Sequence, residues 1–173
     1  MSQKTWLEEF YPKSAQEFMT EEEAIVHSLT KWTGLRPENL AKHGMVAKAY
    51  QIESEIRQPG EDAFRIDATT CALCDKFYDD SSDYYDDEDN QIMCASCPIY
   101  EVRGYPCDEQ IPYEEEEAPY FEFANGNDIK NPEPMIYWLV KALDNYQDNN
   151  RISEEQKRDV MDKINKKLKE EAR

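Results

Sequence analysis

Five cysteines are the residues in this chain whose type and spacing suit chemistry best. Cys71-Ala-Leu-Cys74 and Cys94-Ala-Ser-Cys97 are separated by 19 residues, and Cys107 follows ten positions after Cys97. A CxxC-x19-CxxC pattern falls within the spacing read as a four-thiolate zinc site. Two cysteines three apart turn their sulfurs toward one point in a tight knuckle, and two knuckles close a tetrahedron with Zn–S near ~2.3 Å. The expected cofactor is therefore a structural Zn²⁺ on Cys71, Cys74, Cys94 and Cys97, with Cys107 as a substitute for one of them. A closed shell of four thiolates leaves no open coordination position, so it points to architecture rather than catalysis. Reduced, metal-free cysteines are the plainer reading. Disulfide redox work is a third, but neither CxxC opens a helix in a βαβ context.

Catalytic signatures are otherwise sparse. The five glycines (34, 44, 60, 104 and 126) form no GxGxxG and no phosphate loop, and there is no GxSxG or HExxH. His27 and His43 read as ordinary helix residues, although a Cys107–His43 pair is a conceivable nucleophile. Pro106-Cys-Asp108 with Asp128-Ile-Lys130 superficially resembles a two-carboxylate-plus-lysine nuclease pattern. In a chain with 38 acidic residues such matches arise by chance. The block 79–90 lacks the glycine of an EF-hand loop, so it reads as a solvated loop rather than a calcium site.

Charge is the second informative feature. The 173 residues carry 20 basic and 38 acidic side chains, a formal net charge of −18. Leu, Ile, Val and Phe make up 30 residues, about 17%, which is below the level of ordinary folded domains. Eleven Tyr, three Trp and six Met raise the core-capable set, and a disordered chain is poor in aromatics. The expectation is a folded single domain over 1–173 with acidic, mobile parts and a cysteine-rich acidic subregion over 63–128. Repulsion opposes binding to bare nucleic acid or an anionic membrane and favours a basic protein partner. Within 79–128 there are 16 Asp or Glu and one basic residue, Arg103. Asp86, Asp87, Glu88 and Asp89 lie in one acidic block, and Glu114, Glu115, Glu116 and Glu117 form a second. Tyr84, Tyr85 and Tyr113 sit among them. Carboxylates on a folded face imitate a row of phosphates, and interleaved tyrosines supply rigid contact area. These residues are the expected partner surface; solvated acid is the plainer alternative.

The elements that must hold these residues follow from local pattern. Thr20-Glu-Glu-Glu23 is a capping box, and Ile25, Leu29 and Trp32 follow at helical spacing, predicting a helix over 20–33 with Gly34 as a left-handed stop. Pro37 to Ala41 suits a short second helix ended by Gly44. Residues 45–57 fit either helix or strand. Ala63 to Ala68 alternates and predicts a short strand. Short strands and long turns, with little helix, are expected between 71 and 128. Met135, Trp138, Leu139, Ala142, Leu143 and Tyr146 share one face of a helix over 134–147, and the stripe of the N-terminal helix should meet it. Ser153 with Gln156 starts a C-terminal helix carrying Val160, Met161, Ile164 and Leu168. No apolar h-region opens the chain, and the longest apolar run, Met135 to Val140, is far short of the ~20 residues a bilayer requires. A cytoplasmic location is expected.

The stretch CALC…CASCPIYEVRGYPCDEQIPY resembles a cysteine pattern in uncharacterised small proteins of tailed bacteriophages: CxLC, then CxxCP, a glycine-containing turn, and a further Cys and Tyr. KWTGLRPENLAKHG and PMIYWLVKAL are similar to flanking segments of the same group, so the resemblance covers about residues 20–145. Here the gap between the CxxC units is longer, filled by the acidic block 79–90. The resemblance implies a phage-encoded protein of the host cytoplasm and implies no catalytic residue.

The sequence therefore predicts an α+β chain: helical N- and C-terminal segments around a loop-rich, zinc-stabilised middle with short strands. The expected function is non-enzymatic, a phage-encoded inhibitor of a basic host protein (a defence or nucleic-acid-binding factor) acting by nucleic-acid mimicry. The rivals are a zinc-ribbon accessory module of a nucleic-acid machine and a metal-dependent enzyme.

Overall fold

Reciprocal capping starts the first two helices. Thr5 N–H donates to Glu8 Oε2 at 2.7 Å and Glu8 N–H donates to Thr5 Oγ1 at 3.2 Å, which opens α1, Trp6–Phe10. Thr20 and Glu23 make the same exchange at the head of α2, Glu21–Gly34. Each exchange satisfies two backbone donors that a helix start leaves orphaned. The structure is a computed structural model that describes residues 5–17, 19–50, 53–58, 60, 62–79, 85, 92–110, 118–124 and 131–149.

Gly34 does not act as a left-handed stop. It is the last residue of α2, and the cap after it, Leu35, is right-handed. The left-handed glycine lies further on, at Gly44 (φ +65°), after α3, Pro37–Lys42. What Gly34 supplies is a close approach. A Cβ there would lie 2.5 Å from Phe10 Cγ and 2.9 Å from Trp6 Cζ2, while its carbonyl accepts from Trp6 Nε1 at 2.8 Å. Helix α1 therefore seats directly on the end of α2. Gly34→Ala is expected to lower stability by about 1–3 kcal/mol through overpacking. Urea melts of the two chains check this, and an unchanged midpoint would show that α1 shifts freely on α2.

Residues 45–57, open to either state from sequence, form a hairpin of β1, Val46–Tyr50, and β2, Glu53–Arg57. Antiparallel pairing joins Val46 to Arg57 and Ala47 to Ile56. The third strand, β3, Phe64–Ile66, pairs with β2 (Ser54 to Ile66, Ile56 to Phe64), giving sheet order β1-β2-β3. Alternation places Ser54, Ile56 and Ile66 inward, all buried. Trp6 and Tyr11 cover this face through ring contacts with Phe64 at 5.5 and 4.7 Å.

The middle holds more helix than the sequence predicts. Three short helices, α4 (Ala72–Phe77), α5 (Pro98–Arg103) and α6 (Pro119–Ala124), lie where turns and strands are expected. Proline opens two of them, a position where its missing N–H costs nothing and its fixed φ is already helical. Helix α7, Glu133–Asn149, extends the predicted 134–147 span at both ends. It runs antiparallel to α2. Arg36 after the end of α2 pairs with Glu133 at 2.7 Å, and Glu22 near its start accepts from Gln147 at 3.3 Å. Ile25 and Trp32 share one buried cluster with Met135 and Leu139, and Leu29, Trp138 and Leu143 pack half-buried against it. The expected meeting of the two helical stripes is therefore present. The chain is α+β, with helices around a small antiparallel sheet. The helix expected from Ser153 onward lies outside the described residues. Among the described residues no helix is long and apolar enough to cross a membrane.

Candidate metal centre

Three local devices bring the cysteines together. Cys71 occupies the N-cap position of α4 and Cys74 lies in its first turn, so the first CxxC opens a helix. The three described strands form one antiparallel sheet, so among them this helix does not belong to a βαβ unit. The second CxxC is a tight turn closed by Cys97 N–H to Cys94 C=O at 2.9 Å, with Cys97 capping α5. Gly104, in the left-handed region at φ +80°, ends α5 and reverses the chain. Arg103 then braces the returning loop through the carbonyls of Pro106 and Glu109, and Cys107 C=O accepts from Tyr120 N–H at 3.0 Å. Asp79 N–H to Met93 C=O at 2.9 Å joins the two CxxC segments.

All five cysteines line one small cavity, together with Leu73, Tyr78, Ile99, Tyr100, Pro106 and Met135. Its volume is about 20 Å³, room for one water-sized particle. None of the five is in a disulfide, and each is half-buried. The first four are separated by up to 26 positions in sequence, so the fold assembles the set rather than any one loop. Among the described residues no group of three or more His, Cys, Asp or Glu side chains is placed so that it could hold a metal ion. The two observations are compatible. Lining one cavity is a weaker condition than aiming four sulfurs at one point ~2.3 Å away.

The thiols are electrostatically unequal. Hydrogen bonding from the Cys74 thiol holds the Cys71 thiol well below its ordinary range against the opposing effect of burial, helped by the Lys31 ammonium and by the backbone N–H groups of Cys74 and Leu73. The same shared hydrogen bond, and burial, push Cys74 up. Burial pushes Cys94 up to about 11 and Cys97 up to about 12, and raises Cys107 strongly. In the metal-free set Cys71 is therefore the thiol most readily ionised, while its neighbours are held toward their protonated forms. A structural zinc would have to displace those protons.

Lys31 is the residue here that sequence reasoning missed. It is 1% exposed, on the face of α2 that also carries Ala24 and Ser28 and is continued by Leu35 at the C-cap. That 4-3-4 spacing was the available signal. Its Nζ donates to Thr70 C=O at 2.8 Å, one residue before Cys71. Burial lowers its pKa, opposed by the charge of Cys71, Cys74, Asp67 and Cys107.

The other sequence candidates separate from this centre. His43 is buried at the end of α3, against Glu9 Oε2 at 3.0 Å and edge-on to Phe10, and does not line the cysteine cavity. His27 is buried and engages Lys13 C=O at 2.9 Å. Asp108 is exposed, and Asp128 and Lys130 lie outside the described residues. So do Tyr84, Asp86, Asp87, Glu88, Asp89, Tyr113 and Glu114 to Glu117. Tyr85 is the one proposed partner residue described, and it is 58% exposed.

No protein family profile, curated protein or solved structure matches this chain.

Proposed function

We propose that this protein is a non-enzymatic, zinc-stabilised binding protein that presents acid and tyrosine to a basic partner protein. The observation that carries the zinc part is the convergence of Cys71, Cys74, Cys94, Cys97 and Cys107 on one ion-sized cavity. To become ligands, four of the lining thiols would have to turn their sulfurs toward one point. The donor set is all sulfur, which suits zinc and disfavours the hard cations that take oxygen. Four thiolates leave no coordination position for a substrate, so the centre serves to hold α4, α5 and the Cys107 loop in one arrangement.

The partner part rests on charge and composition. With 38 acids against 20 bases, the chain repels nucleic acid and membrane surfaces and attracts basic grooves. We read it as a phage-encoded factor that inhibits a basic host protein in the host cytoplasm by imitating nucleic acid. Reversing the charge of Asp86, Asp87, Glu88 and Asp89, or of Glu114 to Glu117, is expected to slow association with a partner isolated from host lysate. Steering charges act chiefly on the on-rate, and screening over ~8 Å at physiological salt shrinks the effect as salt rises. Truncating Tyr84, Tyr85 or Tyr113 is expected to raise the off-rate instead. Association kinetics at two salt concentrations test this. Charge-reversed chains that bind like the parent at low salt would leave the acid as solubilising surface.

A further inference from the structure

A lysine that is almost wholly buried calls for a counter-charge. Removing an ammonium from water is expensive, and lysines are rarely sealed in a core unless paired. Lys31 has no carboxylate within ion-pair distance among the described residues. Its hydrogen-bond acceptors both belong to Thr70, the carbonyl at 2.8 Å and the hydroxyl at the edge of bonding distance, 3.5 Å. The ring of Trp32, its neighbour on the same helix, lies 5.8 Å away and offers a weak cation–π contact. The Asp67 carboxylate acts on it from further off, but its Oδ1 already accepts from Thr69 N–H at 2.9 Å and the Thr69 hydroxyl at 2.6 Å. The other ionisable groups near Lys31 belong to the cysteine centre: Thr70, which holds the ammonium, directly precedes Cys71, and Cys71, Cys74 and Cys107 become negative when they ionise or take a metal.

We infer that Lys31 is the built-in counter-charge of the cysteine centre: its ammonium, fixed on the Thr70 carbonyl next to Cys71, offsets the negative charge that the thiolates carry when they hold a metal. The inference rests on the zinc reading above and adds a residue to it. Four thiolates around one Zn²⁺ leave two formal negative charges in a region lined by Leu73, Ile99 and Met135. One buried ammonium removes part of that charge without entering the coordination shell. The arrangement also explains why a cation is tolerated on the inner face of α2: the helix packs directly on α4, whose start carries Cys71. Lys31 is thus a positioning and charge-balancing residue, and no chemistry passes through it.

The test compares the full chain with Lys31→Met, Lys31→Arg and Asp67→Asn. Zinc affinity is read by competition with a chromophoric chelator, and thermal melts are recorded metal-free and zinc-saturated. Lys31→Met is expected to bind zinc about 10–100-fold more weakly, the loss typical of outer-shell partners. Its metal-free form should melt no lower than the parent, because an imperfectly paired buried charge has been removed. Zinc affinity equal to the parent's, or equal losses of melting temperature with and without zinc, would reduce Lys31 to a packing residue and overturn the inference. So would an Asp67→Asn chain that reproduces the Lys31→Met loss, since Asp67 would then be the counter-charge. If Lys31→Met does not fold, Lys31→Arg decides: a folded arginine chain should keep the parent's affinity, and a folded chain that loses it contradicts a charge role. A parent chain that takes up no zinc fails at the earlier step and overturns the zinc reading together with this one.

Discussion

Chelation is expected to collapse the middle of this protein. Chain purified without chelator should carry about one zinc, the content of a single closed four-thiolate site. Apparent zinc-binding free energies in small finger domains are about 10–16 kcal/mol. Whole domains are stable by only about 5–15 kcal/mol. Removing the ion therefore removes a contribution as large as the total. The effect should be greatest over α4, α5 and the Cys107 loop, because the acidic region between them has little apolar surface of its own. Serine at Cys71, Cys74, Cys94 or Cys97 should abolish stoichiometric zinc, and serine at Cys107 should leave it. If Cys107→Ser loses the metal while Cys94→Ser keeps it, the fifth cysteine is a ligand in place of Cys94. Elemental analysis with melts in the presence and absence of chelator measures both. A metal-free chain whose melting curve does not move in chelator would end the zinc reading, leaving five reduced thiols around a small void.

Much of the frame was legible in the sequence because it is written in local terms. The Thr20–Glu23 capping box and the Ile25, Leu29, Trp32 stripe announce α2, and the Met135 to Tyr146 stripe announces α7. Each is a periodic signal over three or more turns, the kind that sequence reads well. The Thr5–Glu8 box announces α1 by the same rule, but five residues hold too little periodicity to mark a helix. What the sequence concealed depends on contacts between distant segments. Gly34 looks like a helix stop; its small size serves Trp6 and Phe10, 28 and 24 positions earlier. The hairpin of 45–57 has apolar residues compatible with either period, and only pairing with β3 through Ser54 and Ile56 settles it. Helices α4 to α6 are about six residues each, too short for a period, and are placed by proline, cap and tertiary contact. For the site, the CxxC spacing indicated which cysteines would converge. It did not indicate that Cys107 joins all four at one cavity, because that depends on the Gly104 reversal and the Arg103 brace. Nor did it indicate Lys31, whose charge argues for the surface until its helical phase is compared with Ala24, Ser28 and Leu35.

Trp32→Ala is expected to cost about 3–5 kcal/mol, the range for deleting a large buried aromatic side chain. The ring is 2% exposed and lies between α2 and α6. It meets Phe123 edge-on at 5.1 Å and Tyr120 at 6.3 Å, so α2 and α6 are joined through it. Tyr120 in turn donates its hydroxyl to Ile66 C=O at 2.8 Å and its N–H to Cys107 C=O at 3.0 Å. Loss of the indole should therefore loosen the seat of α6 and, through Tyr120, the loop that carries Cys107. At about 2–4 °C per kcal/mol for a chain of this size, the melting temperature should fall by roughly 6–20 °C. Trp138→Ala is the comparison. That ring is only half-buried against the core and pairs with the exposed Tyr137, so its loss should cost less. Urea unfolding of both variants ranks them. Equal losses, or a loss at Trp32 below about 1 kcal/mol, would mean that α6 does not depend on the α2 ring, and that the Cys107 loop is held by the Gly104 turn and Arg103 alone.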